Sequence, residues 1–159
     1  LDWLLDDAVW RTDVLHAIGD RSVRYVRFLE DAAAVTAALL AAVTTDARAG
    51  GLKTAARLHA AAVEKFSAPE GFVMSVGDTA LPWPVFARDD NPTPSGPSLL
   101  ASNALELERL DAARRTRGAD EPAGVALRAL AQLGRTAESV PSLAGHALAV
   151  RAGMLRRST

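Results

Sequence analysis

Residues 32–43 read Ala-Ala-Ala-Val-Thr-Ala-Ala-Leu-Leu-Ala-Ala-Val, twelve positions with Thr36 as the single polar group. Alanine and leucine are strong helix formers, and Leu29-Glu30-Asp31 places two acids where a helix starting at residue 29 has its positive end. The sequence therefore predicts a helix over 29–43 that is apolar all round. Such a helix has to be buried on every side. At about twelve residues it is too short to cross a bilayer, so any fold of this chain needs an interior position for it.

The following helix, predicted over 52–66, has a different pattern. Leu52, Ala55, Ala56, His59, Val63 and Phe66 make one stripe, while Lys53, Arg57, Glu64 and Lys65 lie off it. This is the 3.6-residue period of an amphipathic helix. A wholly apolar helix followed by an amphipathic one is the order expected where inner helices are wrapped by outer ones. Gly50-Gly51, between them, reads as the end of helical continuity.

The chain has 159 residues, 49% of them apolar and 23% charged, which suffices for one domain with a sizeable core and argues against a disordered chain. It has no cysteine, so disulfides, thiolate nucleophiles and cysteine-ligated zinc are excluded. Arginine outnumbers lysine sixteen to two, as a GC-rich bacterial genome would give. The net charge of −1 hides an asymmetry: residues 1–108 carry 9 basic and 15 acidic groups, residues 109–159 carry 9 and 4. The basic end permits nucleic-acid binding. Its arginines are scattered, however, and no aromatic residue follows Phe86 to stack on a base, so attraction between the two parts of one fold is the simpler use. The N-terminal acids Asp2, Asp6 and Asp7 do not fit a signal peptide, and a cytoplasmic location is the expectation.

Around these helices the chain alternates extended and helical pieces. Residues 1–9 read as the end of a helix, 14–18 and 22–28 as extended pieces about the Gly19-Asp20 turn, and 72–76 and 81–87 as two more. Pro82 and Pro84 keep the last piece from becoming helical. Three further helices are predicted. One starts near residue 96, with Ser95 as cap, Leu99, Leu100, Asn103, Leu107 and Leu110 inward, and a Glu106–Arg109 pair outside. The second follows Asp120-Glu121-Pro122 and runs to about residue 133, ending at Gly134. The third runs from Ser139-Val140-Pro141-Ser142 to about residue 155, with Leu143, Ala147, Val150 and Met154 on one face. The sum is about six helices with two short β-excursions.

The segment Arg88-Asp89-Asp90-Asn91-Pro92-Thr93-Pro94-Ser95-Gly96-Pro97-Ser98 sets an acid pair beside a helix start. Asp89 and Asp90 suit ligand hydroxyls, a mutual contact, or merely a solvated turn with Ser95 as cap, and the amides at Ser95-Gly96 suit an anion or a sugar hydroxyl. Glu30 and Asp31 suit a catalytic acid–base pair or simple complementation of the helix dipole. His16 sits on an extended piece leading to Glu30. Trp83, between two prolines, is the tryptophan best placed to meet a ligand. His59 falls on the apolar stripe as a core residue. His16, His59 and His146 have no metal-ligand spacing, and no phosphate-binding loop or nucleophile elbow occurs, so neither metal nor cofactor is expected.

Ala8-Val9-Trp10-Arg11, Leu29-Glu30-Asp31, Gly71-Phe72, Arg88, Asp90-Asn91 and Pro94-Ser95-Gly96 together resemble, in order and spacing, the C-terminal part of the YyaL-like family, also described as thioredoxin-domain-containing or spermatogenesis-associated protein 20-like. The likeness covers roughly residues 1–115. It implies an all-α fold, a partial (α/α) toroid of the six-hairpin glycosidase-like class, built of helical hairpins with short β-hairpin insertions. Residues 1–159 would be one helical domain and a fragment of a longer (α/α)6 toroid, without the family's thioredoxin-like domain. The missing half, or a second copy of the chain, would cover its open sides. The implied function is carbohydrate binding or a sugar isomerase- or epimerase-like activity. Glu30 and Asp31 would be catalytic, and His16, Trp83, Arg88, Asp90 and Ser95 ligand-binding. Ala32 and Ala34 stand where the family has aromatics, and Pro97 where it has an amide. These losses point to a degenerate copy, or to a non-catalytic helical scaffold or interaction module.

Overall fold

The computed structural model describes residues 9–10, 13–14, 27–46, 49–77, 83–90, 92–110 and 122–157. In chain order these form β1 (Val9–Trp10), β2 (Asp13–Val14), β3 (Arg27–Phe28), α1 (Leu29–Asp46), α2 (Ala49–Phe66), β4 (Ser67–Ala68), β5 (Gly71–Phe72), β6 (Ser75–Val76), α3 (Gly96–Leu110), α4 (Pro122–Ser139), a 3₁₀ turn (Pro141–Ala144) and α5 (Gly145–Arg157). The described part is mostly helical, with three two-stranded antiparallel ribbons, β1–β2, β3–β6 and β4–β5.

α1 and α2 form a hairpin, and so do α3 and α4. α1 also packs on α3, and α3 on α5. The helices thus fall into an inner row, α1, α3, α5, with α2 and α4 outside it. The row is parallel. Gly96, opening α3, lies against Leu29 and Glu30, which open α1. Further along, Asn103 Nδ2 donates to Ala33 O at 2.8 Å. At the far end Leu107 joins Leu39 and Leu40. The larger core cluster brings Leu29, Phe66, Phe72, Leu100, Ala126 and Leu133 together where the helices meet the ribbons.

α2 keeps the predicted stripe, with Ala55, Ala56, His59 and Phe66 buried and Lys53 and Arg57 exposed. Its start differs from expectation. Gly50 and Gly51 lie inside the helix instead of ending one. A Cβ on Gly51 would fall 2.8 Å from Val43 Cγ2, so this position lets α1 and α2 approach closely where the hairpin turns. Gly134 likewise does not end α4, which continues to Ser139. A single glycine costs a helix about 1 kcal/mol, and the Val140 N to Thr136 O bond closes the added turn.

α1 departs from the prediction more instructively. Leu29, Ala33, Thr36, Leu39 and Leu40 are buried, but Glu30, Ala34, Ala38 and Ala41 are exposed along one side. Thr36 is accommodated inside because its hydroxyl donates to Ala32 O at 2.8 Å. The helix expected to be covered all round is covered on part of its circumference.

The ribbons also pair differently from expectation. Val9 belongs to β1 rather than to a helix, and Arg27–Phe28 pairs with Ser75–Val76. Val73 bridges Phe86, so the two extended pieces around 73 and 86 lie side by side. The remainder of the predicted 1–9 helix, the Gly19-Asp20 turn, His16, Asn91 and Asp120-Glu121 lie outside the described residues. Among the described helices none is long and apolar enough to cross a membrane.

Candidate functional site

The Pro/Ser/Gly segment folds as its residue types require. Ser95 caps α3, its Oγ accepting from Ser98 N at 3.4 Å while Leu99 N donates to Ser95 O at 2.9 Å. Pro97 occupies the first turn, where a missing N–H costs nothing. Gly96 is needed for contact: a Cβ there would sit 2.9 Å from Leu29 Cγ and 3.1 Å from Glu30 N. The opening turns of α1 and α3 are therefore pressed together, and the two acidic turns of the sequence meet at one end of the bundle.

A cleft of about 430 Å³ opens there. Its walls are Phe28, Leu29 and Glu30 from the start of α1, Met74 beside β5, Phe86 to Asp89 from the extended return, and Thr93 to Pro97 leading into α3. Of the residues singled out in the sequence, Glu30, Arg88 and Ser95 share this cleft. Asp89, first of the acid pair, lines it as well.

Asp90 does not line the cleft. It is 5% exposed, and its carboxylate holds the scaffold. Oδ1 accepts from Ser95 N at 2.9 Å, Ser95 Oγ at 2.8 Å and Ser98 Oγ at 2.6 Å. Oδ2 accepts from Ala147 N at 2.9 Å, in the first turn of α5. Burial alone would push this carboxyl up. The bonds from Ser98, from the Ser95 and Ala147 amides and from the Ser95 hydroxyl together outweigh it and hold the group below its ordinary value. One side chain thus ties together the N-termini of two inner helices, α3 and α5.

Asp31 lies in the first turn of α1 without contributing to the cleft wall. Trp83 is 64% exposed and does not line the cleft. Arg88 reaches across solvent to Glu70 at 3.9 Å, both side chains well exposed, and its guanidinium stands 5.9 Å from the Phe86 ring centre. So loose an exposed pair is worth little, which leaves Arg88 able to turn toward a bound group. His59, as expected of a core histidine, is buried, and it borders a second groove of about 500 Å³ beside α2, α3 and α4. Among the described residues no three histidines or acids are grouped to hold a metal ion.

Gln132, which no sequence pattern singled out, supports this end from behind. Its Oε1 accepts from Phe72 N at 2.7 Å, and its Nε2 donates to Phe72 O at 3.1 Å and to Ala87 O at 2.7 Å. Gly71, with φ of 140°, leaves room for that amide. A polar residue on the inward face of α4 was the only available signal. Met74 and Phe86 lie on the two extended pieces predicted at 72–76 and 81–87, which the Val73–Phe86 bridge joins, but neither was singled out as a cleft residue. Compared with known proteins, the chain matches no family model, no curated protein and no solved structure.

Proposed function

We propose that this chain is a small-molecule-binding helical domain whose cleft takes a polar, hydroxyl-bearing ligand of the size of a sugar. One observation carries the reading: the cleft combines carboxylates, a cation, hydroxyls and apolar faces on walls fixed by two helix starts. Its volume of about 430 Å³ lies in the range of ligand pockets. Glu30 and Asp89 would accept bonds from hydroxyl groups, Arg88 would donate, and Phe28, Phe86 and Met74 would lie against the apolar face of a ring. The resemblance to YyaL-like proteins supports the same ligand class. The inner and outer rows support treating the chain as part of an (α/α) toroid. The carboxylates best suited to acid–base work of the isomerase or epimerase type are then Glu30 and Asp89, with Asp31 and Asp90 in supporting positions.

Screening a sugar library by ligand-observed NMR tests the reading. Glu30→Gln and Asp89→Asn should each weaken binding by about tenfold or more, the worth of one hydrogen bond to a charged group. Failure of any sugar to bind, or undiminished binding in both variants, would sink the assignment.

A further inference from the structure

We infer that the chain associates with a second copy of itself head to tail, the outer flank of α5 on one copy packing against the outer flank of α1 on the other. Within the inner row, α3 has an inner helix on each side, whereas α1 and α5 each have one among the described residues. The uncovered side of α1 carries Glu30, Ala34, Ala38 and Ala41, all exposed and spaced by four, four and three residues, which is one face of a helix. That face belongs to a helix whose composition demands burial all round. The uncovered side of α5 carries Leu148, Arg151 and Leu155, all exposed and spaced by three and four residues. Leu155 is 62% exposed. A single exposed leucine means nothing, but leucines in register along one flank of a helix form a surface prepared for a neighbour.

The two flanks fit one another better than either fits itself. Leucine side chains on α5 project into the shallow relief that alanines leave on α1, the ridge-into-groove condition for close helix packing. Two alanine faces would bury little apolar area, and two α5 faces would bring Arg151 and Arg156 toward their own copies. The charges agree. Residues 1–108 sum to −6 and residues 109–159 to +5, so the tail of one copy is attracted to the head of the next. Set level as α1 and α3 are within the chain, Leu148 and Leu155 of one copy come opposite the alanine stripe of the other. Arg151, leaning toward the start of its helix as long helical side chains do, reaches Glu30. The step that carries α1 to α3 and α3 to α5 then carries α5 to the next copy's α1. The contact is heterologous, and it closes into a ring if each copy supplies the right rotation. It does not depend on the cleft binding a ligand.

The test is sedimentation velocity on the full chain over a wide concentration range, with two variants at exposed positions. The mass should rise above that of one chain with concentration and fall back with added salt. Leu155→Glu and Ala38→Arg should each raise the apparent dissociation constant by about tenfold or more, because each buries a charge against an apolar face. Far-UV circular dichroism should match the parent, since neither position is in the core. Mixed together, the variants should recover association that stops at one of each, because each retains the face the other has lost. A chain that stays monomeric at every concentration overturns the inference. So does association that both variants leave intact, or a mixture that behaves as the sum of the separate variants.

Discussion

At Asp90 a single carboxylate accepts four hydrogen bonds from two helix starts. Asp90→Asn keeps the shape but removes the charge and turns a donating NH2 toward groups that themselves donate. The expected loss is about 2 kcal/mol of unfolding free energy in urea titration, the scale of a hydrogen bond to a charged group. Because the folded carboxyl lies below its ordinary value of 3.8, its contribution is fully present above that pH. It is lost as pH falls through the lower, folded value. The variant should therefore differ from the parent near neutrality and converge on it in acid. A pH series of urea midpoints checks this, and a constant difference down into strong acid would contradict it.

Between elements, the closest constraint is the contact of α1 with α3 at Gly96. Gly96→Ala sets a methyl group 3.1 Å from a backbone nitrogen, Glu30 N, which cannot move as a side chain tip would. The openings of α1 and α3 should part at a cost of about 1–3 kcal/mol, typical of overpacking, measured by thermal or urea unfolding. The helices themselves were largely legible in the sequence. The all-apolar run, the stripe from Leu52 to Phe66 and the Ser95-Gly96-Pro97 start are local patterns, and α1, α2 and α3 follow them. Local signals misled where they met a tertiary demand. Gly50-Gly51 and Gly134 look like stops, but in the fold Gly51 admits Val43 and the lone Gly134 is too weak to end α4. The candidate site was legible as a neighbourhood: Glu30, Arg88 and Ser95 do meet. Which of Asp89 and Asp90 faces outward depends on the first turn of α5, where Ala147 lies fifty-seven residues from Asp90, and no spacing rule reaches that far.

Across the whole molecule, the inner row sets all three of its helix starts at one end, the end that holds the cleft and Asp90. The acids Glu30, Asp31 and Asp90 are placed to offset the aligned dipoles there. The ribbons are attached at this same end, and Gln132 determines how they can behave. Just past the β4–β5 pair Val73 N donates to Phe66 O, while the N–H and C=O of Phe72 meet the side-chain amide of Gln132 on α4. Gln132→Leu would strip partners from Phe72 and from Ala87 O, with an expected loss of about 2–4 kcal/mol from orphaned buried groups. It should also increase light scattering on mild heating. An open strand margin invites any passing strand to add to it. By filling the gap between Phe72 and Ala87, one glutamine denies foreign chains a template at this ribbon.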